Sequence, residues 1–283
     1  MGVAGRGAAP KMTDTRLGAE DIRAFKNGEK LVCLTAYDTP MARRVDAHSD
    51  LILVGDSLAM VVYGLETTRG VTLDIMIAHG QAVMRGSERA CVVVDLPHGT
   101  YEDSPEHAIA SAKRVMAETG CQAIKLEGGV EMADTVRAIV DAGVPVLGHI
   151  GLLPQKAEHR GAFKIQGKDD AGALQVLQDA IAITDAGAFA IVIEGTVEQV
   201  ARTVTEKIAV PTIGIGASPA CDGQILVSHD MVGLFSDFTP KFVKRYAEAG
   251  ALIEDSIRVY AEEVRSGAFP EMTHCFGVAK KAG

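Results

Sequence analysis

AIKLEGGVEMADTVRAIVDAGVPVLGHIG, residues 123–151, reads as one complete strand–helix–strand unit. A short apolar run, AIKL, ends in Glu127 and two glycines. A helical stretch over Met132–Ala142 follows, with alanine, valine and charges at helical spacing. Pro145 cannot continue that helix, so "AGVP" stops it. VPVLGHIG from Val144 is the second apolar run. Short apolar runs of this kind suit parallel strands buried on both faces, and the helix between them supplies the crossover.

The same texture repeats in both directions. Upstream lie LVCLTAYD from Leu31, LILVGDS from Leu51 and CVVVDLP from Cys91. Downstream lie AIVIEG from Ala190, VPTIGIGA from Val210 and a weaker VGLF from Val232. Helical stretches at Pro105–Thr119, Ala171–Ala186 and Val197–Ile208 separate them, and a last one near Lys241–Ser266 closes the set. Eight β-α units predict an α/β fold, a (β/α)8 TIM barrel with an extra N-terminal helix. That helix, near Glu20–Asn27, would cap the barrel floor; a doubly wound open sheet is the alternative. One barrel domain is expected over residues 17–276, after a disordered Gly-, Ala- and Arg-rich extension over 1–16 and before a flexible tail over 277–283.

The 283 residues are 47% hydrophobic, enough for one large core. A formal net charge of −9 without a basic run argues against a nucleic-acid partner, since phosphate neutralisation needs clustered Lys and Arg. No stretch approaches the roughly 20 apolar residues of a membrane span, so no membrane partner is expected and a cytoplasmic location is the default. Cys33, Cys91, Cys121, Cys221 and Cys275 are odd in number and lack C-x-x-C pairing, which predicts neither a disulfide framework nor a zinc site.

In a parallel barrel the chemistry sits at the C-terminal ends of the strands. Here those ends are acidic: Asp56 after LILVG, Asp95 after CVVV, Glu127 after AIKL and Glu194 after AIVI. The strand period of two puts Lys125 and Glu127 on one face, the barrel interior. His149, ending the fifth run, is either a supporting site residue or a hydrogen-bonded core histidine. Ser57 could donate to a substrate carboxylate or start a helix. One strand-end aspartate alone could be a helix N-cap. Four carboxylates at one mouth repel one another unless a cation sits among them, and oxygen ligands without convergent His or Cys favour Mg2+. The glycine-rich GIGASPACDGQ at 214–224 is a weak phosphate-loop signal that tight turns explain equally well.

Seven motifs stand in one order: VGDSLAM at 54–60, VVVDLP at 92–97, IKLEGG at 124–129, GHIGLLPQ at 148–155, IVIEG at 191–195, IGIGASPACDGQILV at 213–227 and PKFVK at 240–244. Together they resemble the ketopantoate hydroxymethyltransferase family, of the phosphoenolpyruvate/pyruvate barrel group, over residues 20–276. The resemblance implies that Asp56, Asp95 and Glu127 surround Mg2+. It also implies that Ser57 and Lys125, with the two aspartates, hold a 2-oxo acid, and that Glu194 is the general base. The implied reaction is hydroxymethyl transfer from 5,10-methylenetetrahydrofolate to 3-methyl-2-oxobutanoate, giving ketopantoate in the first committed step of pantothenate biosynthesis. The implied assembly is a homo-oligomer, a decamer. Ala59, LPHGTY at 96–101 and Ser218-Pro219 depart from the family pattern, and the second of these puts His98 near the mouth. The competing readings are a Mg2+-dependent carbon–carbon lyase of the same barrel group, a non-catalytic metabolite-binding barrel and a sugar-phosphate barrel. The lyases' usual K-K-C-G-H-type loop is missing.

Overall fold

The computed structural model describes residues 16–235 and 239–277. The extension expected over 1–16 lies outside these residues except for Arg16, and the expected tail except for Gly277. Arg16 is held in place, its guanidinium donating to Ser87 Oγ at 2.8 Å and to the Ala90 carbonyl at 2.9 Å.

Eight strands close into a barrel in chain order, every neighbouring pair parallel. They are β1 (Leu31–Thr35), β2 (Leu51–Val54), β3 (Cys91–Asp95), β4 (Ala123–Glu127), β5 (Val146–Gly151), β6 (Ala190–Glu194), β7 (Thr212–Ile215) and β8 (Gly223–Leu226). The first seven fall in the expected runs. The eighth does not: VGLF at 232–235 is not a strand, and GQIL at 223–226 closes the barrel instead. Its first two residues are a glycine and a glutamine, so it carries little apolar signal. The glycine is needed for closure, because a Cβ at Gly223 would lie 2.5 Å from the Leu31 Cβ of the paired strand.

The helices are α1 (Ala19–Arg23), α2 (Thr39–Asp46), α3 (Leu58–Val61), α4 (Leu73–Met84) and α5 (Pro105–Thr119), then α6 (Ala133–Asp141), α7 (Asp170–Asp185), α8 (Glu198–Lys207), α9 (Ser228–Met231) and α10 (Ala249–Ser266). α5 has the expected bounds because both ends are marked locally. Ser104 accepts from the His107 N–H, Pro105 opens the first turn, and Gly120 at φ 73° ends it. α1 is shorter than expected; the chain turns through Asn27 at φ 59°, whose N–H is held by Asp222.

Side chains on the strands divide by parity into two cores. Leu51, Leu53, Cys91, Val93, Ala123, Leu147, Ala190 and Val192 face the barrel interior together with Ile22 of α1, which is fully buried and caps the floor as expected. Ile52, Val54, Val92, Val94, Ile124, Leu126, Ile191 and Ile193 pack outward against the helices. Polar residues continue the interior series upward: Asp95 above Cys91 and Val93, Lys125 and Glu127 above Ala123, His149 above Leu147, Glu194 above Ala190 and Val192. The floor is hydrophobic and the mouth is charged.

The chain forms two compact units, one reaching Ser228 and the other beginning at His229. In the second, α10 starts at Ala249 rather than Lys241. Arg245 bonds the Thr239 hydroxyl at 2.7 Å and pairs with Glu248 at 3.3 Å, which holds the preceding residues in turns. No helix among the described residues is long and apolar enough to cross a membrane.

Candidate active site

Lys125 and Asp95 stand on adjacent strands with paired Cα positions, and their side chains meet at 2.7 Å. Both are almost fully buried. Burial alone would lower the Lys125 pKa, but Asp95, Glu127 and Asp56 outweigh it and raise the ammonium above its usual range. Lys125 is therefore a fixed positive charge. The other Asp95 oxygen accepts the Asp56 N–H at 2.9 Å, which ties the end of β3 to the turn after β2.

Asp56 does not cap a helix. Its carboxylate accepts from Gln155 Nε2 at 2.8 Å, and burial followed by repulsion from Asp95 pushes its pKa up to about 7. Ser57 precedes α3, but its hydroxyl makes no capping bond and meets the Tyr37 hydroxyl at 2.9 Å. Glu127 accepts the Gln155 N–H at 3.0 Å on one oxygen. Burial and then Asp56 raise its pKa well above the ordinary carboxylate range.

His149 stands between two carboxylates: Nδ1 is 3.5 Å from Glu127 and 3.3 Å from the Lys125 ammonium, and Nε2 is 3.3 Å from Glu194. Burial, then the charge of Lys125, lowers its pKa well below the usual value, so the ring is neutral. Lys125 can only donate, so Nδ1 is the acceptor and Nε2 carries the proton, close to Glu194 but making no hydrogen bond to it. Glu194 is pushed up to about 7 by burial, a shift that Lys125 only partly opposes.

The structure thus gathers Asp56, Ser57, Asp95, Lys125, Glu127, His149 and Glu194 at the C-terminal end of the barrel. Gln155, Tyr101 and Tyr37 join them and were missed in sequence. Tyr101 donates to Gln155 Oε1 at 2.6 Å and accepts the Glu127 N–H at 3.3 Å. These three come from loops beyond the strands, where no period applies; only their place inside or beside the quoted motifs could have drawn attention to them. His98 lies at the rim, bridging Arg69 and Glu102 at 2.8 Å each. The glycine-rich loop is a structural turn, in which Ser218 donates to Glu198 at 2.7 Å and Gln224 donates to the Ser218 carbonyl at 2.9 Å. The cysteines Cys33, Cys91, Cys121 and Cys221 are buried and free.

Among the described residues, no three His, Cys, Asp or Glu side chains converge as a ready-made metal cage. One oxygen of Glu127 is nevertheless buried without a hydrogen-bond partner, and the matching oxygen of Asp95 faces only the Lys125 ammonium. That donor set suits Mg2+, which needs only one or two carboxylates and keeps several waters, better than zinc.

Comparisons with known proteins bear on the fold and the family. A family profile described as ketopantoate hydroxymethyltransferase matches residues 16–272. A 3-methyl-2-oxobutanoate hydroxymethyltransferase of Agrobacterium fabrum is 60% identical over 265 residues, covering 94% of this chain and 95% of its own. One of Paramagnetospirillum magneticum is 58% identical, covering 94% and 97%. Among solved structures, phosphoenolpyruvate phosphomutase from Streptomyces platensis subsp. rosaceus overlays with a TM-score of 0.60 at 16% identity, over 89% and 88% of the two chains. 2,3-Dimethylmalate lyase overlays at 0.59 with 18% identity, over 92% of each. These structural likenesses concern the fold; the extent and identity of the sequence matches place the chain in the ketopantoate hydroxymethyltransferase family.

Proposed function

We propose that Glu194 takes the C3 proton of 3-methyl-2-oxobutanoate and that 5,10-methylenetetrahydrofolate then supplies the one-carbon unit. The activity is the family's own, 3-methyl-2-oxobutanoate hydroxymethyl transfer in pantothenate biosynthesis. The observation that carries the proposal is the Glu194 carboxyl, pushed up to about 7 at the end of β6. General bases work best when their pKa lies near the operating pH.

His149 lies beside Glu194 as a neutral ring and adds no positive charge that would weaken it as a base. Lys125 holds a positive charge in a buried site, where preorganised charge counterbalances the negative charge growing on the keto oxygen. Ser57 and Lys125, with Asp56 and Asp95, would hold the 2-oxo acid. Asp56, Asp95 and Glu127 would hold Mg2+. When bound, the metal supplies Lewis-acid stabilisation at the keto oxygen. Carbon C3 then bonds to the folate methylene carbon, whose bonds to the folate nitrogens break. Water supplies the product hydroxyl. The C3 proton and one water proton end on the two folate nitrogens, so tetrahydrofolate leaves.

The test follows the C3 proton by NMR in D2O, with Mg2+ and then with chelator. Glu194→Gln is expected to abolish exchange while 2-oxo acid binding persists. Exchange at the wild-type rate in that variant would move the base elsewhere. We also propose a homo-oligomer, a decamer by family resemblance. Leu252, Ile253, Ile257 and Tyr260 of α10 are exposed, and sedimentation velocity measures the mass directly.

A further inference from the structure

The loop between β5 and α7 is stitched to the chain immediately after the proposed base. The Leu152 N–H donates to the Glu194 carbonyl at 2.9 Å, the Gln166 N–H to the Gly195 carbonyl at 2.8 Å, and the Val197 N–H to the Gln166 carbonyl at 3.0 Å. Gly151 allows this approach: it sits at φ 88°, and a Cβ there would lie 2.4 Å from the Glu194 carbonyl oxygen. Inside the loop is a cavity of about 290 Å³, lined by Leu153, Ala157 and Phe163 with Lys156, Lys164 and Gln166. A second cavity, of about 370 Å³, opens beside Glu127.

Chemistry decides between them. The new carbon–carbon bond forms at the carbon that loses its proton to Glu194, so the donor's methylene must arrive at the Glu194 end of the oxo acid. The 290 Å³ cavity is bordered by Gly151 and Leu152, which lie against the Glu194 backbone, whereas the larger one is lined by Glu127; Lys156 borders both. Charge points the same way. In a chain of net charge −9, residues 152–168 carry Lys156, Arg160, Lys164 and Lys168 beside the single carboxylate of Glu158. Lys156 is already paired with Glu131 at 2.6 Å. Lys164 is exposed and has no ion-pair partner among the described residues.

We propose that this slot takes the aromatic part of the folate donor against Phe163, with Lys164 at its rim facing the donor's glutamate carboxylates. The inference rests on the folate reading above and deepens it by assigning the site. Lys164 acts on binding only, through an exposed charge pair; Phe163 supplies a ring face for the donor.

The experiment measures KM for three substrates: 3-methyl-2-oxobutanoate, 5,10-methylenetetrahydrofolate, and the glutamate-free donor 5,10-methylenetetrahydropteroate. Lys164→Glu is expected to raise KM for the glutamate-bearing donor by about three- to tenfold, the range for reversing an exposed charge pair, and the effect should shrink as salt rises. KM for the glutamate-free donor and for the oxo acid should hold. Phe163→Leu should raise KM for both donors alike. Lys164 is exposed, so its substitution tests the proposal even if Phe163→Leu fails to fold. An unchanged KM for the folate in Lys164→Glu overturns the site, as does an equal rise for both donors or a rise for the oxo acid. Wild-type protein that exchanges the C3 proton yet uses no folate donor overturns the donor assignment and this site with it. Failure of exchange in folded, folate-saturated wild-type protein instead overturns the Glu194 reading.

Discussion

Gln155 carries no charge and ends no strand, yet it joins two carboxylates at the mouth whose pKa values are raised. Its backbone N–H serves Glu127, its amide nitrogen serves Asp56 and the Leu96 carbonyl, and its amide oxygen accepts from Tyr101. Gln155→Leu keeps the approximate volume and the backbone bond but removes both side-chain roles. Substitutions of this kind behind a metal site cost about 10–100-fold in metal affinity or activity. The expected outcome is a rise of that order in the Mg2+ concentration giving half-maximal rate, with KM for the folate donor unchanged. A magnesium requirement equal to the wild type's would make Gln155 a packing residue only. The contrast with Lys125, Glu127, His149 and Glu194 shows what sequence can reveal at this scale. Those residues sit on strands at interior parity, so a period of two finds them. Gln155, Tyr101 and Tyr37 reach the site from turns, and a neutral amide or phenol in a turn looks the same whether it serves a site or solvent.

Elements were legible where they bury apolar surface and hidden where closure depends on close backbone approach. β1 to β7 announce themselves by Val, Ile and Leu; β8 is Gly-Gln-Ile-Leu and pairs with β1 through a glycine that could not carry a Cβ. Its seam is secured by a polar device just before it. Asp222 accepts from the Thr212 N–H at 2.9 Å, the Asn27 N–H at 3.1 Å and the Lys26 ammonium at 3.0 Å, so one carboxylate joins β7, β8 and the segment following α1. Burial would raise its pKa, but these bonds outweigh that and lower it. Asp222→Ala strips charge-assisted bonds from a buried cluster and leaves Lys26 unpaired, which should cost about 2–4 kcal/mol. Chemical denaturation measures it. Ile22→Ala attacks the same floor by cavity formation and should cost about 2–4 kcal/mol as well. Both losses should appear as destabilisation with C3 exchange retained in the folded fraction, because floor and mouth lie at opposite ends of the strands. A Glu194-type loss of exchange in either variant would contradict that separation.

At the scale of the whole molecule, the barrel spends stability to concentrate like charges at one end, and pH reveals it. Asp56 and Glu194 are pushed up to about 7 and Glu127 is raised too, all by burial first. Between the ordinary carboxylate pKa of about 4 and these values, the folded chain holds more protons than the unfolded one, so stability falls as pH rises through that window. Asp46 and Asp222 have the opposite sign. For Asp46, burial is outweighed by bonds from Ser87 and the Ala90, Glu88 and Arg89 N–H groups, and its pKa is lowered. The stability these two contribute is present above about pH 4 and is lost as pH falls through their lowered values. Metal-free protein should therefore melt highest near pH 5 and lose thermal stability toward pH 8, by about 2–4 °C for each kcal/mol of carboxylate repulsion. Mg2+ binds the deprotonated carboxylates, so its stabilisation should grow with pH and flatten the decline. Asp56→Asn should flatten it without metal, by removing one of the three charges. Calorimetry in chelator and in Mg2+ across this range measures both effects. A decline of the same slope in Asp56→Asn, or one that Mg2+ leaves untouched, would mean that the charge cluster at the mouth does not govern the stability of the fold.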